Sequence, residues 1–322
     1  MKLLSGQSSR HRKYKQGGLK MWQKINDFTH RRAILSACLI SLFMIATLHI
    51  WAIFWFVATN LSTPIYFALN NFGALMLSLF AILLMKKLYV FDANDFKFFN
   101  IHNFAWNLML GWLGILFGFF GWFVIVAVHL YSYPDVGLFS VGELNHLVIL
   151  LNSIATWGLF TEIPFRCLVL KILLRKFAGT KRGILAACVI SSALFGLLNL
   201  VGNMHFNFWT IVNYLVFSLF IGIYLSMLFL RTRALWVPII VFGFTNYLSH
   251  MASFLTTGSL YIEQTPTYNA AEVAGTALYF SPFAIAGLIM FIKVKPKAPD
   301  DLHNLDKALQ DEIIERTEQA SQ

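Results

Sequence analysis

Three stretches of this 322-residue chain put reactive or hydrogen-bonding groups inside sequence that is otherwise apolar. The first is Thr161-Glu162-Ile163-Pro164-Phe165-Arg166. The second is Phe195-Gly196-Leu197-Leu198-Asn199, and the third runs from Trp236-Val237-Pro238 to Asn246. The carboxylate of Glu162, the guanidinium of Arg166 and the amides of Asn199 and Asn246 stand where unsatisfied polar atoms are expensive, so mutual hydrogen bonding is expected, in a structural or a catalytic role. Glu162 and Arg166 are four apart with the carboxylate first, which puts them on one helical face in the favourable order for a pair. Pro164 between them removes a backbone donor and loosens the helix. Ionisable groups in hydrocarbon are expensive unless partnered, so Glu162 and Arg166 are either a brace or a site.

Other reactive constellations are missing. There is no HExxH, no GxSxG and no Cys/His set at metal-ligand spacing, so neither a metal nor a cofactor is expected. Cys38, Cys167 and Cys188 are odd in number and lie in or beside apolar runs, which speaks for small core residues rather than a disulfide framework. His129, His146, His205 and His250 fall toward the outer ends of their segments or in outer loops. Nothing in their spacing fixes a shared geometry.

The elements that must position these residues follow from composition. The chain is 58% hydrophobic and 12% charged, with a mean hydropathy of +0.65, which places it among polytopic membrane proteins. About 20 apolar residues span a bilayer. Eight such segments are expected: Ala33–Ala58, Ile65–Met85, Phe104–Leu130, Asn145–Leu170, Ile184–Val201, Phe208–Leu230, Leu235–Thr256 and Ala271–Ile292. The formal charge of +10 is a matter of topology and not a nucleic-acid signal, because 24 of the 25 Lys and Arg residues fall on alternate connections. They lie before Ala33, in Lys86–Lys97, in Lys171–Arg182, at Arg231 and Arg233, and after Ile292; Arg166 is the exception. The reading is an all-α polytopic membrane protein, a bundle of about eight transmembrane helices with both termini cytoplasmic.

Residues 1–32 form a basic cytoplasmic arm, 33–297 the membrane domain and 298–322 an acidic tail. In the tail Leu302, Leu305, Leu309 and Ile313 recur at helical spacing. Either that helix is simply solvated or it docks on a partner, and the arm rests on anionic lipid or pairs with the tail. Gly111, Gly114, Gly118 and Gly121 give the third segment a small-residue face, suited to close packing inside the bundle or to a dimer.

Between Thr156 and Asn246 the sequence resembles the CAAX-protease and bacteriocin-processing membrane proteins, also called Abi proteins, a family of eight-helix intramembrane glutamate proteases. The family pattern is Glu-Glu-xxx-Arg in the fourth helix, Phe-xxx-His in the fifth and His-xxx-Asn in the seventh, often after Trp-x-Pro. Here Glu162, Arg166, Phe195 and Asn246 match it, with Pro238 in the Trp-x-Pro. Thr161, Asn199 and Phe242 stand where the pattern has Glu, His and His. Thr161 cannot be a base near neutral pH, Asn199 can donate but not shuttle a proton, and Phe242 can do neither. In this frame Arg166, Thr161, Phe195, Phe242 and Pro238 brace the site, and Glu162, Asn199 and Asn246 are what any chemistry would use.

Three functions are therefore weighed. One is a catalytically degenerate member, similar to the lysostaphin-resistance type, that binds another membrane or cell-envelope protein or peptide in the cavity of the fourth, fifth and seventh helices. Another is a divergent but active endopeptidase of the CAAX or bacteriocin-processing and self-immunity kind. The third is a transporter with Glu162 and Arg166 along its path. All three put the chain in the lipid bilayer of a cell membrane, by resemblance the bacterial plasma membrane, with no nucleic-acid partner.

Overall fold

A computed structural model of the chain describes residues 21–22, 24–59, 63–88, 90, 101–134, 138, 143–201, 207–257 and 268–296. Among these residues the regular structure is all helical, with no strand. The long helices are α1 (Ala33–Thr59), α2 (Thr63–Lys87), α3 (Ile101–Ser132), α4, α5 (Lys181–Val201), α6 (Phe208–Thr232), α7 (Trp236–Thr257) and α8 (Ala270–Ile292). Helix α4 runs without a break through Glu143–Asn152, Ser153–Leu159, Phe160–Glu162, Ile163–Val169 and Leu170–Phe177. A further short helix at 24–31 precedes α1.

Each of the eight apolar segments is thus a helix. Six stretches are long and apolar enough to cross a membrane: Ala33–Trp51, Ala68–Lys87, Met109–Ser132, Asn145–Phe177, Phe208–Thr232 and Ala270–Ile292. α5 and α7 stand outside that set. Residues 1–20 of the basic arm, the acidic tail at 298–322 and His205 lie outside the described residues.

Packing is led by α6 against α8, α3 against α7, and α5 against α6, with α7 also laid on α4. The glycine face of α3 is turned inward. A Cβ on Gly114 would lie 2.4 Å from Val241 Cγ1, and one on Gly118 3.2 Å from the Thr245 backbone. The absent side chains let α3 and α7 approach closely, so the glycines serve packing within one bundle. Polar bonds hold α3 from two helices: Tyr224 Oη of α6 donates to Leu110 O at 2.9 Å, and Thr245 Oγ1 of α7 to Gly114 O at 3.2 Å.

The two ends of the bundle are chemically different. At one end the helices start on asparagine caps. Asn207 Oδ1 accepts from Thr210 N at 2.6 Å, and Asn269 forms a capping box with Glu272 at the start of α8. At the other end, carbonyls at helix C-termini are held by cations from neighbouring helices, the arrangement the helix dipole favours. Arg175 Nη1 donates to Leu88 O at 2.9 Å and to Asn26 Oδ1 at 3.1 Å. Lys171 reaches Val90 O, Lys176 reaches Arg31 O, Lys181 reaches Ile292 O and Arg231 reaches Lys293 O. The basic connections that the charge pattern assigns to one side of the membrane therefore meet on one face.

Candidate functional site

The middle of α4 is not a regular α-helix. Ser153–Leu159 and Ile163–Val169 are π-turns, in which Phe160 N–H bonds to Ala155 O and Leu170 N–H to Phe165 O. Pro164 sits at the start of the second π-turn, so its missing donor falls where the ladder already changes register. Two hydroxyls reinforce this irregular backbone. Thr161 Oγ1 donates to Trp157 O, and Ser191 Oγ of α5 donates to Phe165 O at 2.8 Å.

The acid–base pair joins these features: Glu162 lies between the two π-turns and Arg166 lies within the second. Arg166 Nε is 3.3 Å from Glu162 Oε2, and both side chains are 0% exposed. Arg166 Cζ lies 5.2 Å from the centroid of the Phe195 ring, a cation–π contact made in a desolvated setting. Around it Phe195 meets Phe165 at 5.9 Å and Phe242 at 5.6 Å between centroids, both edge to face, and Phe242 meets Trp157 at 6.5 Å. The ring that faces Arg166 thus belongs to an aromatic cluster drawn from α4, α5 and α7. Glu162 Oε1 and both Nη atoms of Arg166 have no hydrogen-bond partner among the described residues.

Thr161, Glu162, Arg166, Phe195 and Phe242, all singled out by the motifs, are thus buried together. Asn246 is half-buried one turn beyond Phe242 on α7, and its Nδ2 donates to Phe242 O at 2.9 Å, back onto its own helix. Asn199 is on α5, and its side chain lies outside the described ones. Pro238 is in the first turn of α7, where a proline costs no helical hydrogen bond.

Three neighbours were not among the expected site residues. Trp157 bridges Phe242 and His250, whose ring centroid is 6.2 Å from its own. His250 Nδ1 lies 2.8 Å from Asn246 O; a carbonyl only accepts, so Nδ1 is the donor in this bond. On the α2 side Thr156 Oγ1 donates to Asn71 Oδ1 at 3.0 Å. The available signal was the spacing of Phe242, Asn246 and His250 by four, which lines one face of α7. His146 lies elsewhere, with Nδ1 3.3 Å from Tyr247 Oη, and no three His, Cys, Asp or Glu gather among the described residues.

α4 and α7 touch at the backbone. A Cβ on Gly158 would lie 3.2 Å from Ile239 O, and one on Gly243 3.2 Å from Ser153 O.

Fold and site together define an all-helical, multi-pass membrane protein built around a sealed carboxylate–guanidinium pair. Residues 143–248 match the family model described as type II CAAX prenyl endopeptidase Rce1-like, consistent with a member of the CAAX-protease family. The matched stretch begins with α4, takes in α5 and α6 and runs well into α7, so it contains every motif residue above. Neither a search of curated proteins nor a search of solved structures gave a match.

Proposed function

We propose that this CAAX-protease-like protein is catalytically degenerate and works by binding another membrane or cell-envelope protein, with all eight helices crossing the bilayer and both termini in the cytoplasm. The observation that carries the reading is the burial of Glu162. A carboxylate that activates water must reach water and the scissile carbonyl, typically at about 2.6–3.2 Å. Here it is 0% exposed and faces Arg166, whose guanidinium lies against the Phe195 ring. With Thr161 beside it and phenylalanine in place of an imidazole, groups able to move a proton are replaced by groups that pack. A preserved frame with altered reactive groups is what a regulator or scaffold of the cell envelope retains. The plasma-membrane setting belongs to the same proposal.

The test is a comparison of purified wild type with Glu162→Gln on prenylated CAAX peptides and on unmodified membrane peptides. Equal product, at the level of the protein-free control, is expected from both. Cleavage by the wild type that disappears in Glu162→Gln at normal protein level overturns the proposal in favour of a divergent endopeptidase.

A further inference from the structure

We propose that the basic face at the ends of α6 and α8 is a docking surface for the chain's own acidic tail, residues 298–322. α8 finishes at Ile292, and its last carbonyls are gripped from two sides: Lys181 of α5 donates to Ile292 O at 3.2 Å and Arg231 of α6 to Lys293 O at 3.4 Å. These bonds fix where the chain leaves the bundle. The exit is ringed by Lys181, Arg182, Arg233, Lys293 and Lys295, all exposed. Among the described residues on this side the carboxylate is Asp27, on the 24–31 helix.

Arg233 adds an independent observation. It takes φ 50 just after α6, the left-handed position where glycine is least strained. An L-residue is strained there, and the residue that stands at this position is an exposed cation.

The tail supplies the complement. It carries Asp300, Asp301, Asp306, Asp311, Glu312, Glu315 and Glu318 against Lys307 and Arg316, and it starts three residues after Lys295. Attachment that close gives an effective concentration of about millimolar or more, which an untethered acidic partner has to match. The cations sit on helix ends already fixed by packing and capping bonds, so ordering the tail is the main entropy cost of docking. Anionic lipid headgroups compete for the same cations, as would the basic arm for the same carboxylates. On this proposal the tail, and not lipid or the basic arm, occupies the cations at these ends of α5, α6 and α8.

Zero-length carbodiimide coupling of the full-length protein tests this, because it joins a carboxylate to an amine only when the two touch. In nanodiscs of phosphatidylcholine and in nanodiscs containing phosphatidylglycerol, mass spectrometry is expected to find tail carboxylates coupled to Lys181. The coupling is expected to be lost at about 1 M salt, where the screening length falls to about 3 Å, and in the Arg182→Glu/Arg233→Glu variant. Coupling of the tail only to lysines of residues 1–20, or only to Lys307, overturns the proposal. So does coupling that vanishes in the phosphatidylglycerol nanodiscs, since lipid phosphate then holds the face. The salt series on wild type decides the matter if the double variant fails to fold.

Discussion

Arg166 holds its guanidinium 3.3 Å from Glu162 Oε2 and 5.2 Å over the ring of Phe195, with no solvent reaching either charged partner. The two charges have given up hydration, and what they receive in return is each other and an aromatic face. Such a pair is fragile to removal of one member and tolerant of removal of both.

The first prediction follows from that asymmetry. Glu162→Ala or Arg166→Ala alone is expected to destabilise the protein by about 3–5 kcal/mol, because each strands a buried charge. Replacing both together, as Glu162→Gln with Arg166→Met, is expected to restore most of the loss. Thermal unfolding of detergent-purified protein reads all of these variants, and a double variant as unstable as either single one would remove the brace from the account.

Placing at Phe242 the histidine of the pattern this chain resembles is expected to give no protease activity. Phe242 is 1% exposed and its ring packs edge to face on Phe195 and near Trp157. Phe242→His puts a polar ring into that cluster, where an unsatisfied buried group costs about 1–3 kcal/mol. A lower melting temperature and no cleavage of prenylated CAAX peptide are expected, measured on the same preparation.

Close packing of α3 on α7 gives a third prediction. The Cβ of Gly114→Ala would meet Val241 Cγ1 at 2.4 Å, so the variant must shift a helix or strain a rotamer, at about 1–3 kcal/mol. Val241→Ala removes the clashing methyls. The double variant is expected to be less destabilised than the sum of the singles, a coupling that a double-mutant cycle of unfolding free energies measures directly.

A fourth concerns the basic end. Arg175 ties the helix at 24–31 and the end of α2 to α4 through Asn26 and Leu88. Arg175→Ala is expected to leave the bundle folded while faster amide exchange appears at residues 24–31 and near Leu88. Unchanged exchange there would mean the bonds do not hold these segments.

Much of this was legible in the residues themselves. Helix positions came from the length of the apolar runs, since hydrocarbon thickness leaves few alternatives, and the Glu162–Arg166 pair from spacing alone. The inward turn of Gly114 and Gly118 was one of two open outcomes, decided by Val241 and Thr245 on a helix distant in sequence. What could not be read was the aromatic cluster beside the pair. Phe195 and Phe242 mark positions of the pattern, but it takes the packing of α4, α5 and α7 to bring their rings together with Trp157. The role of Trp157 was hidden for another reason: on paper it resembles any tryptophan of an apolar helix, and its two aromatic partners lie on α7. The bond from Asn246 to Phe242 O was not legible either, because a half-buried amide can be satisfied by its own helix or by a neighbour.

The π-turns of α4 give chain length a meaning of its own. A turn that bonds i to i+5 holds one residue more than an α-turn. Deleting a single residue within Ser153–Leu159 is therefore a way to close that turn while the helix beyond it, with Glu162 and Arg166, keeps its facing. The same deletion in α6, whose hydrogen bonds have no such slack, would swing every later side chain by about 100°. For this helix a lost residue can be a milder event than a changed one, so relatives of this chain can differ in length at α4 and still present the same pair to the same rings.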